Sequence, residues 1–539
     1  MLKIKLKTAV LCVICCCMMR EAGAQSFLHA EGEYMVNEEG QQVLLQGVGL
    51  GNWMLPEGYM WKFGEHGDRP RKIEKLVEDY LGAEKSAAFW KTYRKNYVKE
   101  ADIKRIADLG FNSVRPALNA RLFLTEGENP VFVEEGFQLL DSLIDWCKKY
   151  HLYVIIDMHG APGGQTGQNI DDSPNNEPEL FMHSKNEDLL VKLWVKLADK
   201  YKNEPIVAAY DLLNEPLPER TGAADKYKAQ LVPLYNKLIK AIRSVDKKHM
   251  FTIEGFNWAN NWSLFTKPLD DNMFFQFHYY CWDKPDNLND ISYFLKKREE
   301  LHTPVWVGET GEKNNTIYFA TAQYFEANHI GWSFWPWKKM DTQNTPYSIK
   351  QPEGWRAVSK YSRDGKNLDK QGAEEVFKEL LENIKLENCI YFPDVVNAML
   401  RRAPLKLEAE NYGHEGYGKS YLVKDTSLRS ANYRKMEPVQ IQVDENGSGQ
   451  YLILKEGEWT AYQVKSTEQR EYQFVLRAKA DQASARLFLN VNGKREPVTL
   501  TKTGWQELDL KPQQLKTGEN SIKIEVEKGE IAVDWINVY

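Results

Sequence analysis

The sequence predicts an α/β (β/α)8 barrel (the TIM-barrel architecture) followed by an all-β, jelly-roll-like sandwich. Three observations lead there. Apolar runs of strand length alternate with amphipathic helical stretches over roughly 350 residues, the length of such a barrel with insertions. Beyond Asn388 the helical periodicity stops, and short alternating strands separated by Asn-Gly and Thr-Gly turns take over. The 539-residue length also favours more than one domain.

The chain opens on a targeting segment. Lys3, Lys5 and Lys7 precede the apolar run Ala9–Met19, and Ala22-Gly23-Ala24 offers small residues for cleavage. Residues 1–24 are therefore expected to be a signal peptide, with the mature chain starting near Gln25 and secreted to the cell surface, periplasm or medium. Cys15, Cys16 and Cys17 follow no lipobox. Four of the seven cysteines lie in this segment, and Cys147, Cys281 and Cys389 are too few and scattered for a disulfide framework. No later run is long enough to span a membrane. The net charge of −6 is mild for this length and gives no electrostatic reason to expect nucleic acid.

The barrel is expected over residues 25–386. Glu33–Leu50 reads as a hairpin turning at Asn37–Gly40, with Gln42–Gly47 counted as the first barrel strand. The remaining strands are read at Phe111–Arg115, Leu152–Met158, the run from Ile206, Met250–Glu254, Asn272–His278, Val305–Gly308 and Gly331–Trp335. Helices are expected at Ala101–Leu109, Phe137–Tyr150, Asp188–Tyr201, Ala224–Val245, Ile291–Glu300, Thr316–Asn328 and Gly372–Lys385. A doubly wound open sheet is the competing arrangement, but no Gly-rich phosphate loop follows an early strand. Residues 387–404 read as a connecting segment and 405–539 as the sandwich, with strands in YLILKE, EYQFVLRAKA, ARLFLNVNG, SIKIEVE and IAVDWINVY.

In a barrel, chemistry gathers where strands end. Asn-Glu-Pro occurs three times, at 176–178, 203–205 and 214–216. The first lies in a polar loop and the second just ahead of a strand, on the face that serves stability. Only Asn214-Glu215-Pro216 follows a strand. Glu309 follows TPVWVG at another strand end, with Glu312 as a competitor. Two carboxylates facing one pocket are the equipment for cleaving a glycosidic bond, one protonated and one ionised. Arg115, His159, His278, Tyr280 and Trp335 stand at further strand ends. Aromatics make up 12% of the chain, suited to sugar stacking or to core packing, and Trp61, Trp282 and Trp337 are candidates for outer subsites.

With VRP, DMHG, LLNEP, HYY, VGE and SFWPW in this order, residues 33–386 resemble glycoside hydrolase family 5, the cellulase-like retaining β-glycosidases. GVGLGNW and HGAPGGQ resemble its exo-β-1,3-glucanase branch, whereas Pro56–Trp90 matches nothing in the pattern. The resemblance implies Glu215 as acid/base and Glu309 as nucleophile, with no cofactor for catalysis. It implies Asn214 on the sugar 2-hydroxyl, Arg115 and Tyr280 tuning the nucleophile, His159 and His278 lining the same subsite, and Trp335 as a stacking floor. Retention requires the carboxyls about 5–5.5 Å apart. LEAENY, GEWTAYQV, TGWQEL and VDWINVY resemble carbohydrate-binding modules of families 6 and 35. That resemblance implies a structural calcium on Glu408, Glu410 and Asp534, and Trp505 and Tyr433 are candidates for stacking sugar. The expected partner is a β-glucan polysaccharide or oligosaccharide. A mannanase, a transglycosylase or a glycan-binding protein without turnover are the alternatives.

Overall fold

A computed structural model describes residues 25–366, 368–447 and 449–539. The expected signal peptide and its four cysteines lie outside the described residues. Eight parallel strands close into a barrel: β1 (Gln46–Leu50), β2 (Ser113–Asn119), β3 (Tyr153–Gly160), β4 (Val207–Asp211), β5 (Met250–Glu254), β6 (Met273–Tyr279), β7 (Val305–Gly311) and β8 (Gly331–Trp335). Each pairs with its neighbour in sequence, and β8 closes on β1. The strands are buried nearly throughout, which is why they read as continuous apolar runs rather than alternating ones.

Two expectations at the start of the barrel need correction. The hairpin turning at residues 37–40 forms, with Val36 bridged to Gln42 and the Val43 N–H on the Met35 carbonyl, and Tyr34–Val36 pairs on its other side with His29–Glu31. The first barrel strand is Gln46–Leu50, four residues later than read, because Gln42 and Val43 pair back on the hairpin, and it lies against β2 at Gly47. A Cβ there would fall 2.2 Å from the Ser113 carbonyl oxygen. The second correction concerns Arg115. It does not end its strand, since β2 continues to Asn119 and puts Arg115 in the barrel interior, fully buried.

Helices α1 (Pro70–Leu81) and α2 (Ala83–Tyr97) fill the unmatched stretch after β1. They pack an aromatic cluster of Trp61, Phe89, Trp90 and Tyr93 with Trp355. Trp61 and Trp337 are 1% exposed and belong to this core rather than to subsites. The outer ring continues with α3 (Glu100–Asp108), α4 (Glu134–Tyr150), α5 (Ser184–Tyr201), α6 (Ala223–Arg243), α7 (Ser292–Leu301) and α8 (Asn315–Ala327). Helix α4 shows why these stretches are helical. Phe137, Leu140, Leu143, Ile144 and Cys147 recur at helical spacing and are all buried. Cys147, Cys281 and Cys389 are free thiols.

Residues 387–404 are folded. Ile390–Tyr391 pairs with Tyr347–Ile349, and the helix Pro393–Met399 packs on α8. The sandwich has two sheets. One joins Leu405–Glu408, Gln440–Val443, Gln450–Lys455, Glu530–Val538, Arg470–Ala480 and Gly504–Leu515; the other joins Tyr421–Leu422, Trp459–Ser466, Gly518–Lys528, Ala485–Val491 and Lys494–Leu500. Asn492 (φ 53°) and Gly493 (φ 90°) make the tight turn between two of these strands, the left-handed pair that an Asn-Gly hairpin favours. Leu405–Glu408 lies beside Glu530–Val538, so strand pairing joins the two ends of the domain.

The two domains are packed together. Phe319 of α8 enters the sandwich core. Gln323 donates to the carbonyls of Asn411 and Tyr412, and Glu326 takes Arg401 at 2.6 Å and Lys465 at 3.0 Å.

Candidate active site

The C-terminal strand ends enclose a cavity of about 140 Å³ lined by Glu57, Tyr59, His159, Ile170, Glu215, Tyr280, Trp282, Glu309, Glu312 and Trp335. Glu215 follows β4 in a backbone that the chain would not adopt freely. Its φ is +45°, the left-handed region, which costs a non-glycine residue about 1–3 kcal/mol and persists only where the surroundings impose it. Those surroundings are visible. The Glu215 N–H donates to Glu254 Oε2 at 2.5 Å. Buried Gln165, from the HGAPGGQ stretch, donates to the carbonyls of both His159 and Asn214.

Glu309 lies in β7 opposite His278 of β6. Arg115 donates to Glu309 Oε1 at 2.7 Å, and the Tyr280 hydroxyl donates to Oε2 at 2.9 Å. Arg115 also donates to Asp211 and to Asn214 Oδ1, and lies 3.3 Å from Asp157. His278 Nδ1 is 2.6 Å from Glu215 Oε1 and 3.5 Å from Glu309 Oε2, and its Nε2 is 3.3 Å from Glu254. His159 rests on Asp157 through Nδ1 at 2.7 Å and stacks on Trp335, with ring centroids 5.1 Å apart and planes 4° apart.

Electrostatics separates the two glutamates. Burial holds the Glu215 carboxyl above its ordinary range; Glu309 and Glu254 push the same way, and His278 opposes them. Burial would raise Glu309 too, but the charges of His278, Arg115 and His159 and the Tyr280 hydrogen bond outweigh it, so Glu309 is held below its ordinary range. Burial works against charge on both histidines. Asp157 nevertheless lifts His159 to about 9, and Glu309, Glu254 and Glu215 lift His278 well above the usual imidazole value. Burial pushes Asp211 up to about 8 against the pull of Arg115. The two surroundings thus push the carboxyls apart, Glu215 toward its protonated form and Glu309 toward its ionised one.

Donor atoms of Glu215, His278 and Glu309 lie within 4.8 Å of one another. His278, which its carboxylate neighbours hold toward the charged form, stands where a cation would, and Arg115 and Tyr280 occupy the Glu309 oxygens, so the group suits proton chemistry. The calcium set fits less well. Glu408 is engaged by Lys406 at 2.8 Å and Asp534 by Arg477 at 2.7 Å. Only buried Glu410 keeps an oxygen without a hydrogen-bond partner. No other group of three potential ligands is gathered this closely among the described residues.

The structure thus brings Glu215, Glu309, Arg115, His159, Asn214, His278, Tyr280 and Trp335 together. Glu312 lines the cavity but is bound by Lys339 at 2.6 Å. The other Asn-Glu-Pro glutamates lie elsewhere: Glu177 is exposed, and Glu204 pairs with Lys148 ahead of β4. Trp282, 58% exposed, joins the cavity wall. Tyr433 is corrected as a sugar platform, because it is only 5% exposed in the sandwich core. Trp505 is 36% exposed, with Arg477 and Lys479 over its ring.

Sequence reasoning missed Glu57, Tyr59, Asp157, Asp211 and Glu254. Glu254 ends β5 and Asp157 precedes His159 by two on the same strand face, so strand position marks both. Glu57 and Tyr59 lie in the unmatched stretch, where no strand marks them.

Residues 79–341 match the family model for cellulase (glycosyl hydrolase family 5), a span holding seven of the eight strands and both glutamates. The protein is a glycoside hydrolase, and its barrel is similar to that of family 5. A β-xylosidase of Phanerodontia chrysosporium is 26% identical over 403 residues, covering 67% of this chain and 83% of that protein. The sporulation-specific glucan 1,3-β-glucosidase of Saccharomyces cerevisiae is 30% identical over 220 residues, covering 39% of this chain and 49% of that protein. Endoglucanase C of Acetivibrio thermocellus is 31% identical over 196 residues, covering 36% and 53%. The glycoside hydrolase thus spans about half the length of the last two relatives. Among solved structures, a β-glucanase from Saccharophagus degradans in complex with cellotetraose aligns at 17% identity over 67% of this chain and 94% of that one, with a TM-score of 0.41. An endogalactoceramidase aligns at 16% identity over 94% and 99%, with a TM-score of 0.42.

Proposed function

We propose that the enzyme is a secreted, retaining β-glycosidase that hydrolyses a β-glucan by double displacement. The opposed environments of Glu215 and Glu309 carry this reading, together with carboxylate oxygens within 4.8 Å of each other, the close spacing that retention needs. The Glu309 carboxylate attacks the anomeric carbon as the bond to the leaving oxygen breaks, and Glu215 gives that oxygen its proton. Glu215, now ionised, takes a proton from water. The water oxygen attacks the anomeric carbon, and the bond to Glu309 breaks. In this reading Asn214, anchored by Arg115, meets the sugar 2-hydroxyl, and Trp335, which lines the cavity with its ring largely covered, borders the sugar.

The cavity of about 140 Å³ is well below the ~300–1,000 Å³ of typical small-molecule pockets and suits about one sugar ring. Glu57 and Tyr59 narrow it, which supports removal of terminal sugars and the exo-β-1,3-glucanase reading. Digestion of laminarin, cellulose oligomers, xyloglucan and mannan, with the product anomer followed by NMR, tests both points. Glucose released from laminarin as the β-anomer is expected, whereas mannan cleavage or α-anomer would refute the reading. The sandwich is read as a carbohydrate-binding module with Trp505 as its contact. Loss of laminarin retention in affinity electrophoresis on Trp505→Ala is the expected result. Calcium on Glu408, Glu410 and Asp534 is tested by chelation; a melting temperature unmoved by EDTA removes the ion from the account.

A further inference from the structure

The loop after β6 belongs to both domains. It begins with Tyr280, which holds Glu309, and Trp282, stacked on Tyr280 with planes 11° apart. From there to Ile291 it has no helix or strand of its own. An irregular segment of this kind keeps its shape only through the groups that bond it.

Part of that support comes from the barrel. Lys313 donates to the carbonyls of Trp282 and Asp283, Asn314 donates to Asp286, and Asn289 is tied to both Tyr279 and Tyr280. The rest comes from the sandwich. Gln450, 3% exposed at the start of its strand, donates to Asn287 Oδ1 at 2.8 Å. Tyr433 and Leu288 line one cleft between the domains, and Leu288 packs on the hydrophobic cores of both. The same loop therefore touches the nucleophile at one end and the sandwich at the other.

We propose that the sandwich is a positioning element of the active site, in which Gln450 holds the 283–290 loop and so sets Tyr280 against Glu309. Gln450 touches no substrate; it acts through Asn287 and the loop. This rests on the assignment of Glu309 as the ionised nucleophile. It gives the second domain a role in turnover of soluble, short substrates that occupy only the barrel.

The test uses the full chain as Gln450→Ala, Tyr280→Phe and the double variant, assayed on a soluble aryl β-glucoside. Gln450→Ala is expected to lower kcat by about tenfold or more, since displacements near 1 Å at a reacting group have effects of that size or larger. It is also expected to move the acid limb of the kcat/KM profile to higher pH, as Tyr280→Phe does. In the Tyr280→Phe background the same substitution should add little. Hydrogen exchange across residues 281–291 should speed up in Gln450→Ala while the melting temperature stays within a few degrees. Unchanged exchange and an unmoved acid limb would overturn the proposal, as would additive effects in the double variant. A Tyr280→Phe enzyme with a normal profile would instead count against the nucleophile assignment, leaving the exchange result to judge the loop coupling by itself.

Discussion

His278 Nδ1 lies 2.6 Å from Glu215 Oε1, so the carboxyl held above its ordinary range is in direct contact with a buried imidazole. The same nitrogen reaches Glu309 at 3.5 Å. One histidine therefore sets both carboxyls, and its charge lowers both.

This fixes the sign of a pH experiment. Glu309 must be ionised, so activity falls as pH drops through its depressed pKa. Glu215 must be protonated, so activity falls as pH rises through its elevated one. Replacing His278 by Gln removes a charge that pulls both values down. Both limbs of the kcat/KM profile should move to higher pH, and kinetics over a buffer series checks it; movement of one limb alone would show that His278 serves only one carboxyl.

Glu215→Gln should slow glucan hydrolysis by about 10²–10⁴-fold, the usual worth of a positioned general acid or base. An aryl glycoside with an acidic phenol as leaving group needs no proton in the first step. On that substrate the variant should show a burst of phenol followed by slow turnover, measurable by stopped flow.

Arg115 is fully buried among Asp157, Asp211, Glu254 and Glu309. Removing one member of such a group leaves uncompensated charge, and Arg115→Met should destabilise the barrel by about 3–5 kcal/mol near neutral pH. Without the guanidinium, which pulls both down, the folded-state pKa values of Asp211 and Glu309 rise. A group raised on folding contributes stability at low pH and loses it as pH increases. The deficit should therefore shrink in acid and grow toward neutrality, as denaturant unfolding at several pH values would show.

Gly49 and Gly51 explain the glycines of GVGLGNW. A Cβ on Gly49 would stand 2.3 Å from the Trp335 ring, and one on Gly51 2.5 Å from it. Gly49→Ala should tilt the Trp335 ring and lower kcat/KM at least tenfold, with a stability loss of about 1–3 kcal/mol from overpacking. Activity and thermal melting on the same preparation separate the two effects.

The barrel was legible because a buried parallel strand leaves an unbroken apolar run, and the site was legible where its residues end such runs. Glu215 stands out from Glu177 and Glu204 by the strand before it. Position along a strand was less legible. The strand reading stopped before the proline, whereas β2 continues three residues beyond Pro116 to Asn119. Glu57 and Tyr59 reach the cavity from a segment whose packing depends on α1, α2 and Trp355, contacts far apart in sequence. Tyr433 is a stacking candidate by resemblance, and its burial in the sandwich core comes from neighbours far apart in sequence.

The assignment of Glu309 as nucleophile is tested most directly by trapping. A 2-deoxy-2-fluoroglucoside with a good leaving group forms the glycosyl-enzyme and releases it slowly. After digestion, mass spectrometry should place the sugar on Glu309. Label on Glu312, or hydrolysis with inversion and no trapped species, would contradict the account.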